Sequence, residues 1–533
     1  MNNSTFKSFI KNPILILLAV NILIGLFIFR DYGLSWDEPY FYSYGDALGY
    51  AYSPANWFSE NFDLNNSYGA SGEDHKTRGP AYLFLARNFV YGLKALGSDS
   101  ASSWHLVNFL FFQLGIYFLY RISKRWVDSP AAFATAALFS TQPLLWGHAF
   151  INPKDPPFLT FFLASVCLGF EMADKIVDDS NSQKQKITSV IFPAIILGIT
   201  TSIRVLGPLA GLLVFLYLII SLVQKKSNAS AWLSFGLYGI LAIVVMFITW
   251  PYLWENPLAN FMHVFRLMSD NPTHLPVLFG GEVYRAGELP RRYLPFMLAT
   301  TLTEPVWILF VFGLVISYWK IFSKRLIETG YFAALTLIFA WFVILMAYVF
   351  LRRPAMYDGF RHFLFILPPV FIFISFAFDA LFEKIKKLSS NLNWLRAVLI
   401  IVFIAPGVFG IFQLHPYEYA YYNSFVGGTN GVFREYETDY WLTCYKEAVE
   451  QLNEKTSAPV NLFVKREAYV AAPYVNDNIN VRDLRDATDQ VQPGDYILVN
   501  TRTNEDRTTF KDAPIVIEIK RGEAKFCIVR QIP

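Results

Sequence analysis

Residues 12–40 read NPILILLAVNILIGLFIFRDYGLSWDEPY. The stretch carries no charged side chain before Arg30, and it ends with Asp37 and Glu38 directly before a proline. A bilayer core about 30 Å thick is crossed by about 20 apolar helical residues. We therefore predict a membrane span over 12–30 that leads into an acidic loop. The long apolar run is followed by Phe-Arg-Asp rather than by small residues, so it does not resemble a cleavable signal peptide.

The composition of the whole chain also indicates a membrane protein. Of its 533 residues, 54% are hydrophobic and 16% are charged, and the mean hydropathy is +0.34. Soluble domains carry about 25% charged residues, so a soluble globular protein is excluded. The net charge of +3 and the aromatic content of 18% exclude nucleic-acid binding and disorder as the general character of the chain.

Apolar runs of similar length recur up to residue 413, and they give eleven predicted spans. These spans cover residues 12–30, 104–120, 131–149, 157–174, 187–203, 205–223, 231–250, 296–319, 331–351, 362–382 and 395–413. Residues 80–97 are nearly as apolar, but a span there would invert every later loop. We predict instead an amphipathic helix that lies on the outer leaflet.

The short loops between the spans differ in their content of Lys and Arg, which predicts the orientation of the chain. The basic loops are expected in the cytoplasm, and they lie around residues 121–125, 175–186, 225–226, 320–325 and 384–387. Since the number of spans is odd, the chain after residue 413 is expected outside. The other loops expected outside cover 31–103, 148–156, 251–295 and 352–361.

The sequence becomes polar towards its C-terminus. A helical stretch over 440–452 precedes short runs rich in β-formers, which lie at 460–464, 496–499, 515–519 and 526–529. The predicted fold is therefore an α-helical polytopic membrane domain over 1–414, with about 11 transmembrane helices, and a small α/β domain outside the membrane over 415–533. Cys444 and Cys527 could pair in that domain if it lies in an oxidising compartment.

The first cluster of candidate site residues follows the first span. Asp37 and Glu38 precede Pro39, and proline is favoured in the first turn of a helix. Carboxylates at a helix N-terminus are stabilised in their charged form, as a general base must be. The alternative is that this pair only caps a short helix.

The second cluster, Lys154 and Asp155, lies between prolines at the mouth of the fourth predicted span. The prolines restrict the backbone and hold both side chains at the membrane surface. The alternative is that the two residues pair with each other or that Lys154 extends to the interface.

The third cluster lies in the predicted outer loop 351–362, where basic residues are not expected. Its cationic candidates are Arg352, Arg353, Arg361 and His362, and Tyr357 and Asp358 lie between them. The planar fork of arginine suits phosphate oxygens, so an anionic head group would explain the cluster. The alternative is a basic cytoplasmic loop. Arg204 is placed in a similar way, and it reaches either the same site or lipid phosphates.

Four motifs stand in a recognisable order along the chain: SWDEP at 35–39, NPKDPPF at 152–158, WPYLWENP at 250–257 and YDGFRHFLFILPP at 357–369. In order and topology, residues 10–415 resemble the polytopic GT-C glycosyltransferases, within the group that contains the protein O-mannosyltransferases and the lipid A aminoarabinose transferases. The stretch HPYEYAYYNSFVGG at 415–428 resembles bacterial phospholipid carrier-dependent glycosyltransferases.

This resemblance implies a polyprenyl-phosphate-linked monosaccharide as donor and inversion at the anomeric carbon. It places the catalytic carboxylate, a general base, at Asp37 and a second acidic residue at Asp155. The predicted donor-phosphate contacts are Lys154, Arg352, Arg353, Arg361 and His362, and the predicted substrate contacts are Glu38, Tyr357 and Asp358. The acceptor is a lipid, a glycan or a protein, and the expected location is the bacterial inner membrane, with the site facing the periplasm or the exterior.

The chemistry needs no metal, because cations can neutralise the charge that develops on a lipid phosphate as it leaves. No cofactor is therefore expected. Related oligosaccharide-transferring enzymes use a divalent ion, and Asp37, Glu38 and Asp155 could supply oxygen ligands for one.

Two other functions remain open at the level of sequence. A transporter or lipid-sugar flippase would also need many spans and an arginine cluster. Transporters place ionisable groups near the bilayer midplane, whereas the candidate residues here lie at span ends. A noncatalytic protein that binds cell-wall glycans is the third possibility, and the presence of both Asp37 and Asp155 argues against it.

Overall fold

The computed structural model describes residues 12–70, 72–225, 229–269, 273–323 and 330–533. Within these ranges, eight helices are long and apolar enough to cross a membrane. Their bounds are Ser100–Ser123, Asp155–Val177, Gln183–Ile203, Ser230–Ile248, Pro305–Ser323, Tyr331–Arg352, Arg361–Leu388 and Trp394–Leu414.

Three shorter apolar helices occupy the remaining predicted spans. They are Pro13–Ile28, Ser129–Ser140 and Pro208–Gln224. Every predicted span therefore coincides with an apolar helix, and the predicted helical polytopic fold is confirmed. The orientation of these helices in the membrane stays a prediction.

Two predicted spans are interrupted, and the interruptions are bonded to each other. The run 131–149 breaks after Thr141 because Pro143 starts a new helix, Pro143–Ile151. The run 296–319 breaks between Tyr293–Thr301 and Pro305–Ser323. Gln142 Nε2 donates to Thr303 Oγ1 at 2.9 Å, and Gln142 Oε1 accepts from Thr303 N at 3.0 Å. The reciprocal bonds satisfy backbone and side-chain groups that the breaks expose.

The long first loop folds into short helices. These are Glu38–Ala47, Pro54–Trp57, the 3₁₀ turn Leu64–Ser67, Gly72–His75 and Ala81–Ala95. Helix Ala81–Ala95 buries one face, and Tyr82 donates from that face to Asn108 Oδ1 at 2.5 Å. The opposite face leaves Phe89 62% exposed. The amphipathic helix predicted over 80–97 is thus present, and its place on the outer leaflet stays a prediction.

The loop before helix Pro305–Ser323 carries further secondary structure. Its elements are the 3₁₀ turn Pro251–Leu253, helix Pro257–Ser269, and strands Pro276–Phe279 and Glu282–Arg285. The two strands form an antiparallel hairpin.

The C-terminal region contains a mixed five-stranded sheet. The strands in spatial order are Ile479–Asp483, Val460–Val464, Tyr496–Asn500, Ala524–Gln531 and Ile515–Arg521. The first three strands are parallel, and the last two are antiparallel to their neighbours. Helix Cys444–Lys455 packs on the sheet. The sequence predicted this helix and four of the strands, but not Ile479–Asp483, which is short and half polar. Cys444 and Cys527 are both buried and both free.

Short helical segments complete the region after residue 388. They are Ser390–Leu392, Glu418–Ala420, Ser424–Val426, Gly428–Val432, Ala468–Ala471, Ala472–Tyr474, Leu484–Ala487, Thr488–Gln490 and Glu505–Arg507.

The C-terminal region lies directly against the loop that carries Asp37. Leu34 N donates to Tyr474 Oη at 2.9 Å, and Tyr469 Oη donates to Trp36 O at 2.8 Å. A Cβ atom on Gly33 would lie 2.2 Å from Thr443 O, so the close approach of the two segments requires a glycine there. The α/β region therefore contacts the first loop on both sides of residue 35. The domain boundary at 414/415 stays a prediction.

Candidate active site

Asp37 lies just before helix Glu38–Ala47, but its side chain makes no capping hydrogen bond. Its Oδ2 lies 3.1 Å from Arg361 Nη2, and its side chain is 30% exposed. Its Oδ1 has no hydrogen-bond partner among the described residues. Simple capping therefore does not account for Asp37, whose carboxylate is both ion-paired and open to a ligand.

Glu38 points the other way, into the protein. Its side chain is fully buried, and its Oε2 accepts from Ser35 N at 2.6 Å. Its Oε1 accepts from Tyr42 Oη and lies 3.0 Å from His105 Nε2. The structure therefore does not bring Glu38 to the other candidates, and its position does not support the predicted contact with substrate.

Asp155 begins helix Asp155–Val177, and two prolines follow it in the first turn. Asn152 organises this turn: its Oδ1 accepts from the backbone N–H groups of Lys154 at 3.1 Å and Asp155 at 2.9 Å. The Asp155 side chain is 2% exposed and forms an ion pair with Arg204. Its Oδ2 accepts from Asn152 Nδ2 at 2.9 Å and lies 3.4 Å from Arg361 Nη1. Asp155 is therefore a buried carboxylate shared by two arginines.

Arg361 joins the predicted clusters. Its guanidinium is 5% exposed and lies within 3.1 to 3.4 Å of three carboxylates, those of Asp37, Asp155 and Asp358. Two aromatic rings, those of Tyr357 and Trp441, each have their centroid 5.1 Å from Arg361 Cζ. Carboxylates occupy Nη1 and Nη2 of Arg361, so Arg361 organises the acidic residues, while its buried Nε has no hydrogen-bond partner among the described residues. Its predicted contact with the donor phosphate stays a prediction.

Asp358 is fully buried behind Arg361. It adopts a left-handed φ of 55°, and Gly359 follows with a φ of 66°. This turn brings Asp358 Oδ2 within 3.2 Å of Arg361 Nη2, and Trp441 Nε1 donates to the same oxygen at 2.9 Å. Non-glycine residues adopt a left-handed φ at a cost that functional sites often carry. Because protein groups surround Asp358, its position does not support direct contact with substrate.

Lys154 is also buried, but it does not pair with Asp155. Its Nζ lies 5.3 Å from the centroid of the Phe41 ring, and no described carboxylate lies within ion-pair distance. Burial, together with the positive charges of Arg78 and Arg204, holds the pKa of Lys154 well below its usual range. An anion near Lys154 would restore its charge.

Arg78 belongs to the same cationic group, although the sequence reasoning passed over it. Its Nε is buried with no hydrogen-bond partner among the described residues, as is that of Arg204. A Cβ atom on Gly79 would lie 1.9 Å from Ser202 O, so glycine lets the loop that carries Arg78 pack on the segment that leads to Arg204. The orientation rule that drew attention to Arg361 could also have found Arg78, since both are basic residues of predicted outer loops.

Three other predicted phosphate contacts lie at the edge of this arrangement or away from it. Arg352 and Arg353 are exposed at the end of helix Gly330–Arg352, and Arg353 Nη2 donates to Leu289 O at 2.9 Å. His362 is half-buried and packs edge-on against the Tyr357 ring, with centroids 4.9 Å apart. The positions of the two exposed arginines do not support the predicted role.

A metal site of three converging ligands is not present among the described residues. Asp37 and Asp155 approach each other only through Arg361, and Glu38 faces away from both. The guanidinium occupies the space between the two carboxylates where an ion would have to bind. These three residues therefore do not fit a shared divalent ion in this arrangement.

The chain was compared with protein families, curated proteins and solved structures. A family model described as dolichyl-phosphate-mannose-protein mannosyltransferase matches residues 79–250, which include Lys154, Asp155, Arg204 and six of the apolar helices. A comparison with curated proteins finds no match.

Solved structures match nearly the whole chain. The oligosaccharyltransferase of Archaeoglobus fulgidus in its apo form is 10% identical, with a TM-score of 0.52 over 93% of this chain and 70% of that one. The same archaeal enzyme, AglB, in complex with an inhibitory peptide and a dolichol-phosphate is 10% identical, with a TM-score of 0.50 over 94% of this chain and 70% of that one. ArnT from Cupriavidus metallidurans in the apo state is 12% identical, with a TM-score of 0.49, and 96% of this chain and 97% of that chain are covered.

The resemblance drawn from the four sequence motifs is thus confirmed: the chain is a polytopic membrane protein with the fold of the GT-C glycosyltransferases.

Proposed function

We propose that the protein transfers a monosaccharide from a polyprenyl-phosphate carrier to an acceptor at the outer face of a bacterial inner membrane. The observation that carries this proposal is one open carboxylate, Asp37, in the same group of residues as the buried Lys154 and the half-buried Arg78, two cations that have no described carboxylate partner. The archaeal enzyme of the same fold binds a dolichol-phosphate, which supports a lipid phosphate as the missing anion.

Asp37 is the better candidate for the general base of the two aspartates. A base must accept a proton from the acceptor, so it needs an oxygen that no other group occupies. Asp37 is 30% exposed and pairs through Oδ2 alone, whereas Asp155 is 2% exposed and pairs through both oxygens. Asp155 therefore holds Arg204 and Arg361 in place.

The reaction is a single displacement. The acceptor hydroxyl or amine loses a proton to Asp37 as its oxygen or nitrogen bonds to the anomeric carbon. The bond from that carbon to the carrier phosphate breaks, and the phosphate leaves with the electron pair. Arg78, Lys154 and Arg204 neutralise the charge that develops on it, in a buried setting where such stabilisation is strong. Attack opposite the leaving group inverts the anomeric centre.

The alternative of a transporter or flippase finds no comparable support. Its ionisable groups would be expected near the middle of the bilayer. Apart from the Asp37 cluster itself, the described ion pairs within the apolar helices, such as Lys320 with Asp379, lie in the half of each helix opposite that cluster.

The test uses the purified full chain with radiolabelled polyprenyl-phosphate monosaccharides and a panel of lipid, glycan and peptide acceptors. We expect the label to move to one acceptor class with inverted configuration, and Asp37→Asn to stop transfer while the protein still binds the carrier. Movement of the lipid across vesicles without transfer, unchanged in Asp37→Asn, would contradict the proposal and favour the flippase.

A further inference from the structure

Arg502 extends from the C-terminal sheet into the candidate active site. It follows strand Tyr496–Asn500, and its backbone N–H donates to Asn500 Oδ1 at 2.7 Å. Its side chain is 1% exposed, and Nη1 lies 2.8 Å from Asp358 Oδ1. The stability of the sheet does not explain this ion pair, because the buried side chain of Arg502 points out of the sheet and contacts a carboxylate of the membrane region.

The contacts of Arg502 lead to Asp37 by two routes. Along the first, Asp358 lies between Arg502 and Arg361, and Arg361 Nη2 lies 3.1 Å from Asp37 Oδ2. Along the second, Arg502 Cζ lies 4.5 Å from the centroid of the Trp36 ring, and Trp36 immediately precedes Asp37. One guanidinium therefore contacts both the ion-pair chain and the backbone neighbour of the proposed base.

We propose that Arg502 is a positioning residue for Asp37, and that completing the active site in this way is the role of the C-terminal region. This inference rests on the proposed function. Arg502 neutralises Asp358, so that Arg361 can share its donors between Asp37 and Asp155. Without Arg502, Asp358 would be a buried carboxylate with Arg361 as its one cationic partner, and the strong attraction in a poorly solvated site would draw Arg361 away from Asp37.

Arg502 lies near two carboxyl groups, and its surroundings favour the ion pair with Asp358 over that with Glu437. Glu437 Oε1 also lies near it, 3.3 Å from Arg502 Nε. Burial raises the pKa of Glu437, which weakens the competition of this carboxyl with Asp358 for the charge of Arg502. Arg502 Nη1 further donates to Tyr440 O at 2.6 Å, which fixes the orientation of the fork.

The experiment compares Arg502→Gln with a matched control, Arg530→Gln, in the full chain. Arg530 is a buried arginine of the same sheet, and within the described ranges its side chain donates to the backbone carbonyls of Lys511, Ala513 and Asp506 and to no side chain. We expect kcat of Arg502→Gln to fall about 10-fold to 100-fold, as misplacement of a catalytic group does, with carrier binding within about threefold of wild type. We expect Arg530→Gln to lose thermal stability and to keep the kcat of its folded fraction.

Arg502→Lys is the second variant, in case Arg502→Gln does not fold. It keeps the charge but loses the planar fork, so its kcat should lie between those of wild type and Arg502→Gln. Equal kcat in wild type and both Arg502 variants would overturn the proposal, and so would a loss of kcat in Arg530→Gln as large as that in Arg502→Gln.

The failure of this inference can be told apart from the failure of the proposed function. If the wild-type chain transfers no sugar from any carrier, the proposed function fails. The coupling along the ion pairs Arg502–Asp358–Arg361 is then measured by two double-mutant cycles in the melting temperature. One cycle combines Arg502→Gln with Asp358→Asn, and the other combines Asp358→Asn with Arg361→Gln. Non-additive shifts in both cycles support this coupling, and additive shifts overturn it.

Discussion

Charged residues lie at both ends of the same apolar helices, but the two ends are built differently. At one end, cations and carboxylates pair locally: Arg121 contacts Glu171, Arg125 Nη2 lies 2.9 Å from Asp174 Oδ2, and Lys320 Nζ lies 2.6 Å from Asp379 Oδ2. At the other end, three carboxylates share Arg361, while Arg78 and Lys154 have no described carboxylate partner.

The difference separates charges that hold helices together from charges arranged for a ligand. Locally paired charges are satisfied within the protein. A buried charge without a partner is costly, so Lys154 and the buried Nε of Arg78 support the proposed binding of an anion. The proposed carrier site depends on this difference, so substitutions at the end with Asp37 should affect carrier binding and transfer more than matched substitutions at the opposite end.

The largest effect is expected for Asp37→Asn. Loss of a general base reduces rates by about 10²-fold to 10⁴-fold, and the amide keeps the shape of the side chain. The matched change at the other end is Asp174→Asn, where the carboxylate is 46% exposed and pairs with Arg125. Because such exposed pairs contribute little, its transfer rate should stay within about twofold of wild type. Both variants are compared by their initial rates of sugar transfer. An equal loss of rate in Asp37→Asn and Asp174→Asn would contradict the proposed difference between the two ends of the helices.

A smaller effect is expected when either partnerless cation is neutralised. Arg78→Gln and Lys154→Gln should each weaken binding of undecaprenyl phosphate about 10-fold to 100-fold, as removal of a charge-assisted hydrogen bond does. Arg125→Gln at the other end should leave carrier binding within about twofold, since distant sites act independently. Titration of the carrier in lipid nanodiscs provides the comparison, and tight binding by both cation variants would argue against the phosphate site.

The pH dependence of carrier binding should report on Lys154. Its pKa is held well below the usual range in the free protein by burial and by Arg78, and a bound phosphate would raise it. At a pH between the pKa values of Lys154 in the free and in the carrier-bound protein, Lys154 gains a proton when the carrier binds. The affinity for the carrier therefore falls as the pH rises, by at most about tenfold per pH unit. The nearby His75 titrates lower, because burial and Arg78 lower its pKa to about 3.

Lys154→Arg is the control for this dependence, because arginine stays charged throughout the range. The titration of the carrier phosphate itself is common to both proteins, so the difference between their pH profiles isolates Lys154. Identical profiles would mean that Lys154 does not gain a proton when the carrier binds.

The smallest effect is expected for the exposed pair at the end of helix Gly330–Arg352. Arg352→Gln and Arg353→Gln should each leave carrier binding and transfer within about twofold of wild type, as surface changes usually do. A tenfold loss in either variant would restore the role that the sequence predicted for these residues and would show that the carrier extends to this surface.

Much of this arrangement could be predicted from the sequence. The eleven apolar runs determine the helical architecture, since lipid tolerates few other backbone structures. Asp37, Asp155, Lys154 and Arg361 drew attention because each is a charge near the end of a span. The structure brings all four together, although they come from three loops that are distant in sequence.

The remaining residues carried a weaker signal in the sequence, or none. Glu38 is adjacent to Asp37, but successive residues at a helix start point in different directions, and only the fold shows that Glu38 faces His105. Arg78 lies in a long polar loop whose path no span determines. Arg502 belongs to a charged α/β region, where one arginine among many is unremarkable until its contact with Asp358 is seen.

The central claim is that the cationic end of the site recognises a lipid-linked phosphate. Its most direct test measures the binding of undecaprenyl phosphate and of undecaprenol to the wild-type protein in the same nanodiscs. The two lipids share a tail and differ only in the phosphate. We expect saturable binding of undecaprenyl phosphate and at least about 100-fold weaker binding of undecaprenol, since several charge-assisted contacts would be lost. Equal binding of the two lipids would contradict the account.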